Sequence, residues 1–132
     1  MDDRTGGLAF TPPPPEQVAE LVDTACATAQ RGLEHPAIAA ASIHVAVAAI
    51  HPFADGNGRA ARVAASLAMY RGGFRRPELT SLEEWWGRHR ADYYATFRCL
   101  GPVFDPNVDV ARISGVSRTL RRSAVAAWTR TT

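Results

Sequence analysis

Apolar residues recur at spacings of three and four along most of the chain, which is the periodicity of α-helices that bury one face. The first such segment, 16–31, has apolar positions at Val18, Leu21, Val22, Ala25 and Ala29. The second segment, 38–50, is apolar on nearly all sides and follows Pro36, a residue suited to the first turn of a helix. This second segment is therefore predicted to be the buried central helix.

Three further helices are predicted. Segment 60–70 ends before two glycines and has apolar residues that we expect to face the core, namely Val63, Leu67 and Tyr70. Segment 82–100 is rich in aromatic residues, namely Trp85, Trp86, Tyr93, Tyr94 and Phe97. After a loop at 101–107, segment 108–128 has apolar positions at Ile113, Val116, Leu120, Val125 and Trp128. No segment alternates between apolar and polar residues as a half-buried strand does, so the pattern predicts an all-α fold.

The length of 132 residues fits a single domain, with a lead-in at 1–15 and a helical core at 16–130. Four prolines at 12–15 predict an extended spacer ahead of the first helix. The composition, 46% hydrophobic and 21% charged, is that of a globular protein. The sequence lacks both an apolar run long enough to span a membrane and a signal-peptide layout, which favours a cytoplasmic location.

Charge and cysteine content add little. The net charge of +2 gives no general argument for nucleic-acid binding. Cys26 and Cys99 lack the spacing of metal ligands, so we expect buried free thiols, with a disulfide left open as an alternative.

The chemistry is concentrated between the second and third predicted helices, in the run His-Pro-Phe-Ala-Asp-Gly-Asn-Gly-Arg-Ala-Ala-Arg at 51–62. A loop here would place His51 at the end of one helix and Asn57 at the start of the next. The first amide groups of a helix lack partners within it and its dipole favours negative charge, so this end is predicted to bind phosphate. Gly56 and Gly58 can adopt backbone angles that other residues resist, and they let a ligand approach the main chain closely.

The charged residues of the run fit the same chemistry. Arg59 and Arg62 share a helix face, and their forked donors suit phosphate oxygens. Asp55 is a hard oxygen ligand for Mg²⁺, and His51 is the one nearby residue of a type whose unperturbed pKa, about 6.5, suits a general base. Taken singly, each would more often be an ordinary loop histidine, helix cap or solvated arginine. The ordered set indicates base-assisted attack on a metal-bound polyphosphate.

This set resembles the signature of the Fic family, His-x-Phe-x-(Asp/Glu)-Gly-Asn-Gly-(Arg/Lys)-x-x-Arg, at every specified position. The resemblance implies transfer of AMP from ATP to a Tyr, Thr or Ser hydroxyl of a target protein. It assigns His51 as the base, Asp55 as the Mg²⁺ ligand and the amides of Gly56, Asn57 and Gly58 as phosphate donors. Arg59 and Arg62 would bind the β- and γ-phosphates, and Phe53 would point inward and anchor the loop.

The resemblance also bears on residues outside the motif. Segment 5–11 resembles a remnant of the flap that holds a target segment in this family, and its backbone could add to a target strand by edge pairing. A tyrosine pair at the corresponding place lies near the nucleotide in Fic proteins, which makes Tyr93 or Tyr94 a candidate for stacking on adenine. His44 lies one helical row below the loop, and we expect a buried, hydrogen-bonded histidine that braces the site.

Many Fic proteins are inhibited by a helix with the pattern (Ser/Thr)-x-x-x-Glu-(Gly/Asn). The segment from Thr80 to Glu84 has the first spacing, but Trp85 follows it and no glutamate occurs after Glu84. An internal inhibitory glutamate is therefore not evident. A small antitoxin-like protein or an upstream segment would supply it, or there is none, and the isolated chain is expected to be active.

Two alternatives remain open at this level. Some relatives transfer UMP, phosphocholine or a γ-phosphate, although the phosphorylating branch departs from the second glycine of the motif, and Gly58 is present here. A non-catalytic nucleotide- or protein-binding module is the other alternative, and the intact His51 argues against it. A secreted effector is also compatible with the sequence.

Overall fold

The computed structural model describes residues 10–32, 35–74, 88–98 and 100–107. These residues form four helices, α1 (Pro15–Gln30), α2 (Pro36–Ile50), α3 (Asn57–Arg71) and α4 (Arg90–Arg98). In the described ranges, β-type pairing is limited to one bridge, between Thr11 and Val103. The all-α prediction is confirmed. Several sequence predictions lie outside the described residues, namely those for segments 5–9, 82–87 and 108–128, and for Cys99.

Helix α1 begins one residue before the predicted start, because Pro15 occupies its first turn. A proline is tolerated there, since the first amide groups of a helix have no partner within it. Pro14 has φ −57° and ψ 145°, which is extended backbone, so the predicted extended spacer ends at Pro14. The predicted inward row of α1 is half-buried, as expected, but the prediction of a buried thiol at Cys26 is wrong because this free cysteine is exposed.

Helix α2 is the central element, as its apolar sequence predicts. His35 caps its start through Nδ1, which accepts a hydrogen bond from the Ala37 amide at 3.2 Å. Most of its residues are buried, namely Ala37, Ala40, Ala41, Ile43, His44, Val45, Val47, Ala49 and Ile50. Among the helices described, none is long and apolar enough to cross a membrane.

Helix α3 packs on α2 through two alanines and one methionine. Its buried apolar positions are Ala61, Ala65 and Met69, while the side chains predicted to face the core, Val63, Leu67 and Tyr70, are 68%, 55% and 48% exposed. That prediction is wrong. Helices can approach closely only where side chains are small, so the alanine row forms the contact and the larger residues lie on another face.

Helices α2 and α3 are antiparallel, with the end of α3 beside the start of α2. A Cβ at Gly72 would overlap the Pro36 ring, so this approach requires glycine. Gly73 has φ 102°, and the amides of Gly73 and Phe74 donate to the carbonyls of Tyr70 and Met69, each at 3.1 Å. These are the two bonds of a Schellman motif, which ends α3 at the predicted glycine pair.

Helix α4 covers the other side of this pair. Its residues Tyr93 and Phe97 pack against a cluster formed by α2 and α3, together with Phe74 and Leu100. The buried members of that cluster are Ala37, Ala40, Ala41, Val45, Ala65 and Met69. Helix α1 packs on the remaining side, where Ala25 and Ala29 contact a second cluster of Ile43, Val47 and Ala61.

Candidate active site

The loop between α2 and α3 lies where the sequence predicts it. His51 is the residue that ends α2, and α3 begins at Asn57. The first amide groups of α3 therefore lie at the end of a loop, 51–56, that starts with His51. A basic side chain and an anion-binding helix end are brought together by a connection of only six residues.

The Asn57 side chain fixes the shape of this loop. It is 3% exposed, its Oδ1 accepts a hydrogen bond from the Phe53 amide at 2.8 Å, and its Nδ2 donates to the Phe53 carbonyl at 2.7 Å. The side chain is therefore committed to the loop, and only the backbone amide of Asn57 is placed to serve an anion at the helix start. Sequence reasoning missed this clamp, although an asparagine at a loop–helix junction is typical of such backbone bonding.

Phe53 anchors the loop through its backbone alone. Its ring is 55% exposed, so the prediction that it points inward is wrong. The Phe53 amide and carbonyl both bond to the Asn57 side chain, so the backbone of Phe53 is fixed while its ring adds an exposed aromatic surface to the loop.

The two glycines of the motif have different structural reasons. Gly56 has φ 82° and ψ 9° and stands immediately before α3, in the left-handed region that favours glycine. Gly58 lies in the first turn of α3 and its φ is not positive, so Gly58 does not use the backbone freedom of glycine. The lack of a side chain at Gly58 leaves the helix start open to a ligand.

His51 is held in an unusual backbone conformation. Its φ of 56° and ψ of 54° make it the one residue other than glycine with positive φ among those described. Such a conformation costs about 1 kcal/mol and is typical of functional sites. The His51 amide still donates to the Val47 carbonyl at 3.1 Å, so the residue continues the hydrogen bonding of α2.

The same residue makes a contact that fixes its chemistry. Nδ1 of His51 lies 3.3 Å from the Ala48 carbonyl oxygen. Because a carbonyl oxygen only accepts, Nδ1 carries the hydrogen in this contact, and Nε2 of the neutral ring keeps its lone pair. The loop therefore presents His51 in the form that a general base requires.

Asp55 and Arg59 form an exposed ion pair across the helix start. Nη2 of Arg59 lies 3.2 Å from Oδ2 of Asp55, and the two side chains are 72% and 94% exposed. No cluster of three metal-ligating side chains occurs among the residues that the structure describes. One accessible carboxylate fits Mg²⁺ that takes its other ligands from phosphates and water.

The two arginines of the motif each lie beside one glycine. Nη2 of Arg59 would be 3.2 Å from a Cβ on Gly56, and Nη1 of Arg62 would be 3.5 Å from a Cβ on Gly58. Arg62 is the more buried of the two, and its Nε is shielded from solvent. Both guanidinium groups therefore border the first turn of α3, where phosphate would bind.

His44 is a buried, hydrogen-bonded histidine, as predicted. It is 1% exposed, and its Nε2 lies 3.0 Å from the Tyr93 hydroxyl. Burial lowers the pKa of His44 to about 4, with an opposing effect from the Ala61 backbone and a further lowering by the Arg62 charge. Burial also raises the pKa of Tyr93 to about 12, against the opposing charge of Arg62.

Tyr93 and Tyr94 have different environments. The Tyr93 ring packs against Phe97 in the core, with ring centroids 5.0 Å apart. Tyr94 is 43% exposed and meets Tyr93 edge to face, with centroids 5.4 Å apart. The adenine contact stays a prediction, and of the two rings only Tyr94 presents a large accessible surface.

The end of the lead-in pairs with the chain itself. The Thr11 amide donates to the Pro102 carbonyl and the Thr11 carbonyl accepts from the Phe104 amide, each at 2.9 Å. Both backbone groups of Thr11 are thus used within the chain, and the predicted pairing with a target strand is wrong at this position. For residues 5–9 that pairing stays a prediction.

Comparisons with known proteins support the family that the 51–62 motif resembles. Residues 1–69 match the model of the Fic/DOC family. Two curated proteins are each 38% identical over 91 residues, protein adenylyltransferase fic-1 of Caenorhabditis briggsae and its namesake in Caenorhabditis elegans. The similarity covers 66% of this chain but 17% and 16% of theirs, so the chain spans about a sixth of the length of the curated relatives it matches. No solved structure matches the chain.

Proposed function

The chain belongs to the Fic/DOC family, and on that premise we propose that it is a protein adenylyltransferase. It would transfer AMP from Mg-ATP to a Tyr, Thr or Ser hydroxyl of a target protein and release pyrophosphate. The curated relatives are both named as protein adenylyltransferases, which supports this choice over transfer of another group.

One observation carries the proposal. The contact between Nδ1 of His51 and the Ala48 carbonyl leaves Nε2 as the basic nitrogen, in the loop that leads to a helix start suited to an anion. A scaffold that only binds phosphate has no need for a base oriented in this way.

We assign the phosphates to the first turn of α3. The amides of Gly56, Asn57 and Gly58 would donate to phosphate oxygens, with Arg59 and Arg62 on the β- and γ-phosphates. Asp55 would hold Mg²⁺, which supplies positive charge against the phosphates when bound. Since the Asp55–Arg59 pair is exposed on both sides, separating it costs little, and both side chains can turn to the nucleotide.

The reaction would then be a single displacement. Nε2 of His51 takes the proton of the target hydroxyl as its oxygen bonds to the α-phosphorus, and the bond from that phosphorus to the bridging oxygen breaks. Pyrophosphate leaves with the electron pair. As in phosphoryl transfer generally, positioning and stabilisation of charge supply most of the rate enhancement.

The remaining assignments are also proposals. We assign the adenine contact to Tyr94 rather than Tyr93, because the Tyr93 hydroxyl is hydrogen-bonded to His44 and its ring is packed in the core.

A small antitoxin-like protein, or a segment upstream, would inhibit the enzyme by bringing a glutamate to Arg62. We propose a cytoplasmic location for the reaction.

The test uses Mg²⁺, a cell lysate and ATP labelled at the α-phosphate, with a parallel reaction that uses ATP labelled at the γ-phosphate. We expect label on lysate proteins with the wild-type chain and at least a 100-fold lower rate with His51→Ala, the order of magnitude for losing a general base. His35→Asn is the matched control, because it removes an imidazole from the other end of α2 and keeps a helix cap. Normal labelling by His51→Ala would refute the base assignment, and label from the γ-phosphate would indicate phosphorylation instead.

A further inference from the structure

The loop that carries the proposed base also carries an exposed phenyl ring. Phe53 stands two residues after His51, and its side chain is 55% exposed. Consecutive Cα atoms are about 3.8 Å apart, so the Cα atoms of these two residues are separated by less than about 8 Å. An apolar surface and the proposed base therefore share one short connection.

The backbone that carries this ring is fixed. The Phe53 amide donates a hydrogen bond to Oδ1 of Asn57 at 2.8 Å, and the Phe53 carbonyl accepts one from Nδ2 at 2.7 Å. Asn57 is itself 3% exposed and is the first residue of α3. Because a phenyl ring has only two side-chain torsions, little further freedom is lost when a partner covers it. Rigid aromatic side chains of this kind are frequent anchors in protein interfaces.

Phe53 has no part in the proposed metal and phosphate contacts. Those contacts are assigned to charged groups and amides, including the exposed Asp55–Arg59 pair. A phenyl ring offers neither a metal ligand nor a hydrogen-bond donor, and it gains free energy when an apolar group removes it from water. The chemistry of this surface therefore suits an apolar side chain.

The proposed reaction determines which molecule approaches the ring. The target hydroxyl must come within about 3.2 Å of Nε2 of His51 for proton transfer. An extended chain rises about 3.3 Å per residue, so a target residue two positions from the hydroxyl-bearing residue is displaced from it by roughly 7 Å. That displacement is comparable to the separation of His51 and Phe53 along the loop. A target segment that delivers its hydroxyl to the base therefore brings neighbouring side chains within reach of the ring.

We propose that Phe53 is a specificity-determining residue, which contacts an apolar side chain within two positions of the modified hydroxyl. The inference rests on the proposed function and narrows its substrate class to segments in which an aliphatic or aromatic residue flanks the Tyr, Thr or Ser. Phe53 acts on the choice of target and takes no part in the displacement at phosphorus.

Six synthetic peptides are the probes. Each contains one Tyr, Thr or Ser as its only hydroxyl, with either two Leu or two Gln residues on both sides of it. With the hydroxyl that is labelled fastest, the wild-type chain should show about tenfold higher kcat/KM for the Leu-flanked peptide than for the Gln-flanked one, the size of a modest apolar contact. Phe53→Ser should bring this ratio close to one, whereas Phe53→Leu, which keeps an apolar side chain, should retain most of the preference.

Leu67→Ser is the matched control. It removes an apolar side chain that is also 55% exposed, but from the middle of α3 rather than from the loop. The peptide preference of this variant should equal that of the wild type. The Kd for Mg-ATP, measured by calorimetry, should be the same in all four proteins, and urea denaturation would establish that each is folded. A tenfold loss of Mg-ATP affinity in Phe53→Ser would mean a structural role in the loop and overturn the inference.

The two proposals can fail separately. Label on peptides with no Leu preference in the wild type, or a preference that persists in Phe53→Ser, would overturn the inference alone. Label on lysate proteins but on none of the peptides would do the same, since a flanking side chain would then not direct recognition. A wild-type chain that binds Mg-ATP and labels neither peptides nor lysate proteins would overturn the proposed function.

Discussion

The buried side chain of Asn57 bonds both backbone groups of Phe53, at 2.8 Å to its amide and 2.7 Å to its carbonyl. These two bonds join the first residue of α3 to the loop that follows His51. Because the loop has only six residues, they fix the distance between the His51 imidazole and the amides at the helix start. Asn57 thus relates the proposed base to the proposed phosphate site.

Asn57→Ala should therefore lower both stability and activity. Loss of two hydrogen bonds at a buried position should reduce the free energy of unfolding by about 2 kcal/mol, measured by urea denaturation. AMP transfer should fall more steeply than the stability loss explains, since His51 is no longer fixed against the helix start. The matched control is Asn107→Ala, whose exposed side chain donates a hydrogen bond to nearby Asp105 and whose loss should cost less than about 0.5 kcal/mol.

Much of this arrangement follows from the sequence, and the exceptions have physical reasons. Prolines and glycines mark where α2 begins and α3 ends, and His51 and Asn57 stand at the predicted helix boundaries. Helix α3 has one apolar row of small residues and another of large residues. Hydrophobic size alone therefore did not predict which row faces the core. The small row, with Ala61 and Ala65, is buried since only it allows α2 to approach.

The loop shows a second kind of limit. The periodicity of apolar residues predicts helices but not the direction of a side chain in a loop. The direction of the Phe53 ring depends on which backbone groups Asn57 binds. The backbone angles of Gly56 and Gly58 likewise differ although the motif treats them alike. Hydrogen bonding within the loop, rather than residue type, decides these features.

Gly56→Ala and Gly58→Ala should separate stability from ligand binding. Gly56 has φ 82°, so alanine should reduce the free energy of unfolding by about 1 kcal/mol. Gly58 is helical and a Cβ there would meet Nη1 of Arg62 at an ordinary 3.5 Å, so alanine should leave stability unchanged or raise it by about 0.5 kcal/mol. Mg-ATP affinity should nevertheless fall in Gly58→Ala, because the new methyl group lies at the proposed phosphate site.

Chemical denaturation and calorimetry on both variants would check these expectations. Equal destabilisation by the two substitutions would contradict the conformational difference between the glycines. Unchanged Mg-ATP affinity in Gly58→Ala would argue against close approach of phosphate to this turn.

His44 should make the fold sensitive to acid. Its pKa is about 4 in the folded protein against an ordinary value of 6.5, so the unfolded chain binds the proton more readily. The contribution of neutral His44 to the free energy of unfolding is complete above pH 6.5. It decreases by on the order of 3 kcal/mol as the pH falls from 6.5 towards 4. His44→Asn cannot titrate there, so the difference in unfolding free energy between wild type and variant should shrink over this interval. A difference that stays constant with pH would contradict a neutral, buried His44.

The backbone of His51 allows its role in folding to be separated from its role in catalysis. His51→Ala and His51→Gly both remove the imidazole and its contact with the Ala48 carbonyl, so they differ mainly in backbone preference. Since φ at this position is 56°, the glycine variant should be more stable by about 1 kcal/mol, measured by urea denaturation.

Neither variant should transfer AMP at more than a trace of the wild-type rate. Added imidazole should restore some transfer to His51→Gly, because the missing base can be supplied from solution at a half-buried site. Equal stability of the two variants would contradict the left-handed backbone, whereas normal transfer by either would contradict His51 as the base.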